Sequence, residues 1–409
     1  LSTYHPLTID EAVSLAHSIP GHFPADAKLA CKEIGDGNLN LVFHITDQSG
    51  SDKSIIIKQA LPYAKVVGES WPLSLDRARI EREALQLQYS LCPGLVPEVY
   101  AFDDHLAITV MEDLSDHVIM RKGLIEGVSY PLFAGHIGEF LARTLFYTSD
   151  LAMGPQDKKE QVKKFINPDL CKITEDLIFE DPYKLSDNNN YPAYLEDEAR
   201  DLRENAALHL EVALLREAFL TRTEALLHGD LHTGSIFATP ESTKVIDPEF
   251  AYYGPMGFDI GAIIANLLLN YAAQPGWTKD EAARRDTEQR LLQTVSDIWQ
   301  EFEARFRKLW NEEARDPMSG APGYQDVYIA KVLRDTAGFA GCKIIRRIVG
   351  LSHVADIDTI EDEQIRETAQ RKALAIGKLL VLNHRSIQTG NDIVRLAKQA
   401  SQPFEGAVL

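Results

Sequence analysis

The spacing of hydrophobic positions changes near residue 113, and the change divides the chain into two parts. Before it, short runs rich in β-branched and apolar residues predict strands over 28–34, over 39–47 and over Ser54-Ile55-Ile56-Ile57-Lys58. Gly35-Asp36-Gly37-Asn38 separates the first two and is a strong turn signal. A helix opens at Thr8-Ile9-Asp10-Glu11, where Thr8 can cap while Glu11 reaches back three residues; Ile9, Val13 and Ala16 continue at helical spacing. Residues 74–91, with Ile80, Leu85, Leu87 and Leu91 among their apolar positions, predict another helix, followed by strands near 97–102 and 106–112. The outline is a small antiparallel-sheet lobe over residues 1–112.

After Asp113 helical periodicity dominates, over 132–149, 195–226, 257–273, 280–310, 326–350 and 363–383. Only 236–247 reads clearly as β. Residues 181–193, with Pro182, Pro192 and the Asp187–Asn190 run, predict a polar surface loop, and 316–323 a loop between helices. Residues 113–409 are therefore expected to form a larger, mainly helical lobe, giving an α+β, bilobal chain.

The totals narrow the chemistry. At 409 residues the chain is long for one core, which supports two lobes. Its 45% apolar and 25% charged residues are ordinary for a soluble enzyme. A net charge of -19 argues against a nucleic-acid partner, because phosphate backbones are held by Lys and Arg. An anionic nucleotide can still bind through local cations and magnesium, so each Lys or Arg near a motif matters. Cys31, Cys92, Cys171 and Cys342 are scattered and form no CxxC pair, which fits a reducing cytosol. No apolar run reaches the ~18 residues of a membrane span. No basic-then-apolar leader is visible, so a cytoplasmic location is expected; since the chain opens on Leu1, a removed targeting segment stays open.

Most informative is His228-Gly229-Asp230-Leu231-His232-Thr233-Gly234-Ser235, followed at Val245-Ile246-Asp247-Pro248-Glu249 by a second acidic cluster. Phosphoryl transfer needs one carboxylate to orient a hydroxyl and take its proton, and others to hold magnesium. Asp230, in its glycine turn, suits the first task. Asp247, ending a β segment 17 residues later, suits metal binding, with Glu249 helping. His228 reads as a support for the loop, whereas His232 reads equally well as a substrate contact or as loop packing. Upstream, Gly35–Asn40 is either a plain hairpin or a cover over phosphates, with Asn40 offering an amide. Lys58 ends an apolar strand 18 residues after Asn40, in the setting of a phosphate-binding lysine. Glu81 is the favoured partner to position it, and Glu83 competes. Glu112-Asp113-Leu114 leaves the last strand, where backbone groups can meet an adenine edge.

This ordered set resembles the protein-kinase-like fold of small-molecule kinases, which includes aminoglycoside phosphotransferases and choline kinases. Two departures stand out: Ser235 occupies a position usually held by a metal-binding Asn, and Asp247-Pro248-Glu249 replaces the usual Asp-Phe-Gly element. Longer strings resemble the 5-methylthioribose kinase family: Gly35–Asn40, Tyr63–Pro72, Arg121–Ile125, His228–Ser235, Val245–Phe250 and Ile345-Arg346-Arg347-Ile348-Val349-Gly350. The resemblance implies ATP-dependent phosphorylation of the anomeric hydroxyl of 5-methylthioribose, in methionine salvage, by a homodimer. It implies ATP contacts from Asn40, Lys58, Glu112, Asp113, Leu114, Asp247, Pro248 and Glu249, Mg2+ on Asp247 and Glu249, and sugar contacts from Asp230, Arg346 and Arg347. The Tyr63–Trp71 segment reads either as a loop closing over ligand or as core packing around Trp71. The rival readings are another small-molecule kinase with an aminoglycoside or choline-like substrate, and an inactive nucleotide-binding protein.

Overall fold

A computed structural model describes residues 4–34, 40–64 and 68–404. The Gly35-Asp36-Gly37-Asn38-Leu39 turn and Lys65-Val66-Val67 lie outside the described residues, as does the side chain of Trp71. The chain forms two compact units, Leu1–His117 with Lys244–Ala251, and Val118–Thr243 with Tyr252–Leu409.

The first unit is built on a five-stranded antiparallel sheet in the order Leu29–Glu33, Asn40–Asp47, Ser54–Ala60, Ile108–Glu112, Val99–Asp103. Side chains alternate across a strand with a period of two. Ile55 and Ile57 therefore point into a core with Phe43, Ile45, Ile108 and Val110, which Ala12 and Ala16 of the Ile9–Ser18 helix cover. Lys58 takes the opposite parity, and the Asp76–Leu91 helix supplies its partner there. Thr8 and Glu11 form the capping box that starts the first helix.

The second unit is mainly helical. Its Gly257–Trp277 helix is apolar nearly all round and correspondingly buried on every face, as a central core helix must be. Against it packs Tyr324–Val349, and a Cβ on Gly261 would stand 2.6 Å from the Thr336 carbonyl oxygen, so glycine is what permits the approach. Glu363–Asn383 packs on the far side with the same device: a Cβ on Gly341 would lie 2.5 Å from the Gly377 carbonyl oxygen. These contacts anchor Tyr324–Val349, whose last two turns carry Lys343, Arg346 and Arg347.

Several elements differ from expectation. The helix expected over 195–226 breaks at Asn205, whose side chain accepts the Leu208 amide at 3.1 Å and starts a new helix, Ala206–Thr221. Its last residues instead form a strand, Ala225–Leu227, paired antiparallel with Tyr252–Gly254. Pro155–Lys164 is a helix that apolar periodicity could not show, because its sequence is almost entirely polar. Asp181, Pro182 and Tyr183 are buried rather than on a surface loop; Asp181 accepts from Ser186 and Asn188 at 2.9 Å each. Tyr63–Ala64 and Gly68–Pro72 pair as a two-stranded ribbon. Among the described residues no helix is long and apolar enough to cross a membrane.

Candidate active site

Two charged clusters stand out, one in each unit. In the first, Lys58 donates to Glu81 at 2.7 Å and also to Asp247. Glu83 instead takes Arg79, at 2.9 Å. Burial pulls the Lys58 ammonium down, but Asp247, Glu81 and Glu249 outweigh it and hold the pKa above the ordinary lysine value. Burial, with Asp247 and Glu249 nearby, raises Glu81 despite the attraction of Lys58. Asp247 sits at φ 68, a left-handed conformation that only short polar side chains and glycine tolerate readily, at about 1–3 kcal/mol.

Glu249 is 4% exposed, and the sequence reading missed what stabilises it. Arg77, 2% exposed, donates to Glu249 at 3.1 Å, to Asn40 Oδ1 at 2.6 Å and to the Leu61 carbonyl at 2.7 Å. Its signal was faint, one arginine on a charged helix 172 residues from Glu249. Pro248 is buried between the two acids, and its carbonyl closes a turn with the Ala251 amide at 3.1 Å.

At the end of the Ile108–Glu112 strand, Glu112 receives Lys244 at 3.2 Å. The Asp113 carboxylate accepts from His44 at 2.8 Å and Ser54 at 2.6 Å. Both side chains are thus engaged within their own unit, while Leu114 is buried.

Glu81, Asp247 and Glu249 bring carboxylate oxygens within 4.8 Å of one another. The three carboxylates form an all-oxygen donor set, which suits a hard divalent ion such as Mg2+. The residues therefore fit the metal.

In the second unit, Asp230 follows Gly229, which takes φ 86, a conformation glycine adopts freely. The buried Asp259 carboxylate holds this turn from the Gly257–Trp277 helix by accepting the His228 amide at 2.6 Å and the Gly229 amide at 3.0 Å. The Asp230 amide donates to His228 Nδ1 at 3.3 Å. Gly234 donates to His232 Nδ1 at 3.0 Å, which leaves the other ring nitrogen to carry the proton. That nitrogen, Nε2, lies 3.4 Å from Asp230 Oδ2. Lys343 Nζ lies 3.3 Å from the other oxygen, Oδ1, and Arg347 3.9 Å from it. Burial raises the Asp230 carboxyl, but His232, Lys343 and Arg347 outweigh it and hold its pKa well below the usual range. His232 is pushed down to about 4 by burial against the pull of Asp230, so it is neutral at ordinary pH. Ser235, in place of the usual Asn, donates to the Asp230 carbonyl at 3.3 Å.

Arg346 and Arg347 are each 7% exposed, and both reach the Ser352 carbonyl, at 3.4 and 3.1 Å. Adjacent helix positions point about 100° apart, yet these long side chains converge. Among the described residues no carboxylate lies within salt-bridge distance of Arg346, and its buried Nε lacks a hydrogen-bond partner. Arg121, which begins the Arg121–Ile125 string, joins the same unit's loop to its core: it donates to Asn266 at 2.8 Å, pairs with Asp356 at 3.1 Å, and Thr233 meets Asn266 at 3.4 Å.

An acidic cluster holding a lysine and a glycine turn presenting an ionised carboxylate are the parts of a phosphoryl-transfer enzyme. The model of the phosphotransferase enzyme family matches residues 30–292. The chain is 50% identical over 398 residues to the methylthioribose kinase of Geobacillus sp. (strain WCH70), covering 97% of each. It is 48% identical to that of Cronobacter sakazakii (strain ATCC BAA-894), covering 98% of this chain and 100% of the other. Among solved structures it is similar to a choline kinase from Cryptosporidium parvum Iowa II, with 12% identity, a TM-score of 0.46 and 98% of each chain covered. The chain is a kinase and belongs to the methylthioribose kinase family.

Proposed function

We propose that the chain phosphorylates the anomeric 1-hydroxyl of 5-methylthioribose from ATP, giving 5-methylthioribose 1-phosphate and ADP in methionine salvage. Identity of 50% across 97% of the chain carries the choice of substrate. The sugar oxygen attacks the γ-phosphorus, the bond to the β-phosphate oxygen breaks, and the hydroxyl proton passes to Asp230. The ionised state of Asp230 supports that role, because a carboxylate held anionic is ready to orient and accept the proton. Lys58, kept cationic by its acids and positioned by Glu81, serves the α- and β-phosphates. Magnesium on Asp247 and Glu249 neutralises phosphate charge when bound. Asn40, the Glu112–Leu114 backbone and Pro248 complete the nucleotide contacts. Arg346, with no carboxylate within salt-bridge distance among the described residues, suits the moving phosphoryl group, while Arg347 steadies Asp230 and the sugar. Family likeness further supports a homodimer acting in the cytoplasm.

The test is ADP release by purified protein with methylthioribose, ribose, choline and an aminoglycoside in parallel. Strong release with methylthioribose alone supports the reading. Release with an aminoglycoside or choline instead, or with none of the four, overturns it.

A further inference from the structure

Lys343 was absent from every motif, yet it is the nearest cation to Asp230. Lys343 is 3% exposed, and its ammonium lies 3.3 Å from Asp230 Oδ1 and 4.3 Å from the centre of the Phe258 ring. An ammonium has three N–H donors. Here Asp230 is its one hydrogen-bond acceptor among the described residues. A buried lysine is held at a large desolvation cost unless something specific uses its charge. Two closely packed helices fix it in place, since Phe258 belongs to Gly257–Trp277 and Lys343 to Tyr324–Val349.

Opposite it, His232 lies 3.4 Å from Oδ2. The two oxygens of one carboxylate are therefore contacted from two directions, one by a loop side chain and one by a helix. Contact at a single oxygen leaves the carboxylate plane able to swing; contact at both fixes it.

We infer that Lys343 is a positioning residue for the phosphoryl-transfer reaction, fixing the plane and the charge of the Asp230 carboxylate so that one oxygen is aimed at the sugar hydroxyl. This rests on the role of Asp230 proposed above. It divides labour along one helix: Lys343 and Arg347 approach Asp230 within salt-bridge distance, whereas Arg346, next to Arg347, has no carboxylate within that distance among the described residues. Other charged groups surround the pair. Arg346 and Arg347 press on Lys343 from its own helix, Asp259 attracts it from the Gly257–Trp277 helix, and His228 touches the Asp230 amide. Arg121 and Asp356 act on Arg347 from outside this circle.

The test is the pH profile of kcat/KM for methylthioribose in Lys343→Met and Lys343→Gln, with ATP binding and melting temperature measured beside it. An opposite charge within ~4–6 Å lowers a carboxyl pKa by about 1–3 units. Loss of Lys343 should therefore move the acid limb up by about that much. A misplaced carboxylate should also lower kcat about 10²-fold while ATP affinity holds. Lys343→Arg, which keeps the charge, should restore the limb. An unmoved limb in both neutral variants overturns the inference, as does near-normal kcat. Failure of both to fold would assign Lys343 to stability and overturn it too. Asp230→Asn separates the two levels: if that variant is active the role of Asp230 fails, and if it is inactive while the limb stays put only Lys343 is misassigned.

Discussion

Arg77 donates to Glu249 at 3.1 Å with both side chains almost wholly buried, on segments 172 residues apart. Desolvating two charges is costly, and Asn40 and the Leu61 carbonyl offset part of that cost by accepting further hydrogen bonds from the guanidinium. The Arg77 contact thus ties the helical element of its unit to the Asp247-Pro248-Glu249 turn.

Removing the guanidinium alone should be severe. Arg77→Met takes the salt-bridging guanidinium from buried Glu249, and breaking a buried pair from one side costs about 3–5 kcal/mol. Urea denaturation measures it directly. A loss below about 1 kcal/mol would show that Glu249 is stabilised by something else.

Lys58→Met should act mainly on the nucleotide. In that variant kcat/KM for ATP should fall by about 10²–10³-fold, the usual scale for one charge-stabilising donor, while KM for methylthioribose changes little. Steady-state kinetics varying each substrate in turn distinguishes this from general damage, which would move both.

The pH dependence has a definite sign. Burial, with Arg346 and Arg347 adding to it and Asp230 opposing, lowers Lys343 to about 8. The ammonium is therefore charged below that value and loses its charge as pH rises through it. Activity should show a basic limb near pH 8, and in Lys343→Arg that limb should move upward because a guanidinium stays protonated. A limb at the same pH in wild type and variant would exclude Lys343 as its source.

The sequence showed the acids and the lysine because short local patterns carry them: a glycine turn before Asp230, an apolar strand before Lys58, a β segment before Asp247. Strand parity sets Lys58 opposite the core residues Ile55 and Ile57, a division that three successive isoleucines did not display. Arg77, Lys343 and Asp259 were not. Each sits on a helix whose local sequence gives no special sign, and each acts through a partner far along the chain. The break at Asn205 was hidden for a different reason, since apolar spacing continues through it and only the capping side chain marks the new start. The polar helix Pro155–Lys164 carries too little apolar periodicity to register at all.

The proposed function turns on Asp230 taking the proton from the anomeric hydroxyl of methylthioribose as phosphate arrives. Phosphorus NMR of Asp230→Asn mixed with ATP and methylthioribose, beside wild type, tests it most directly. Wild type should build up a sugar 1-phosphate signal, and the variant should form it about 10²–10⁴-fold more slowly while binding ATP normally. Formation of the same product by Asp230→Asn at a rate near that of wild type would contradict it.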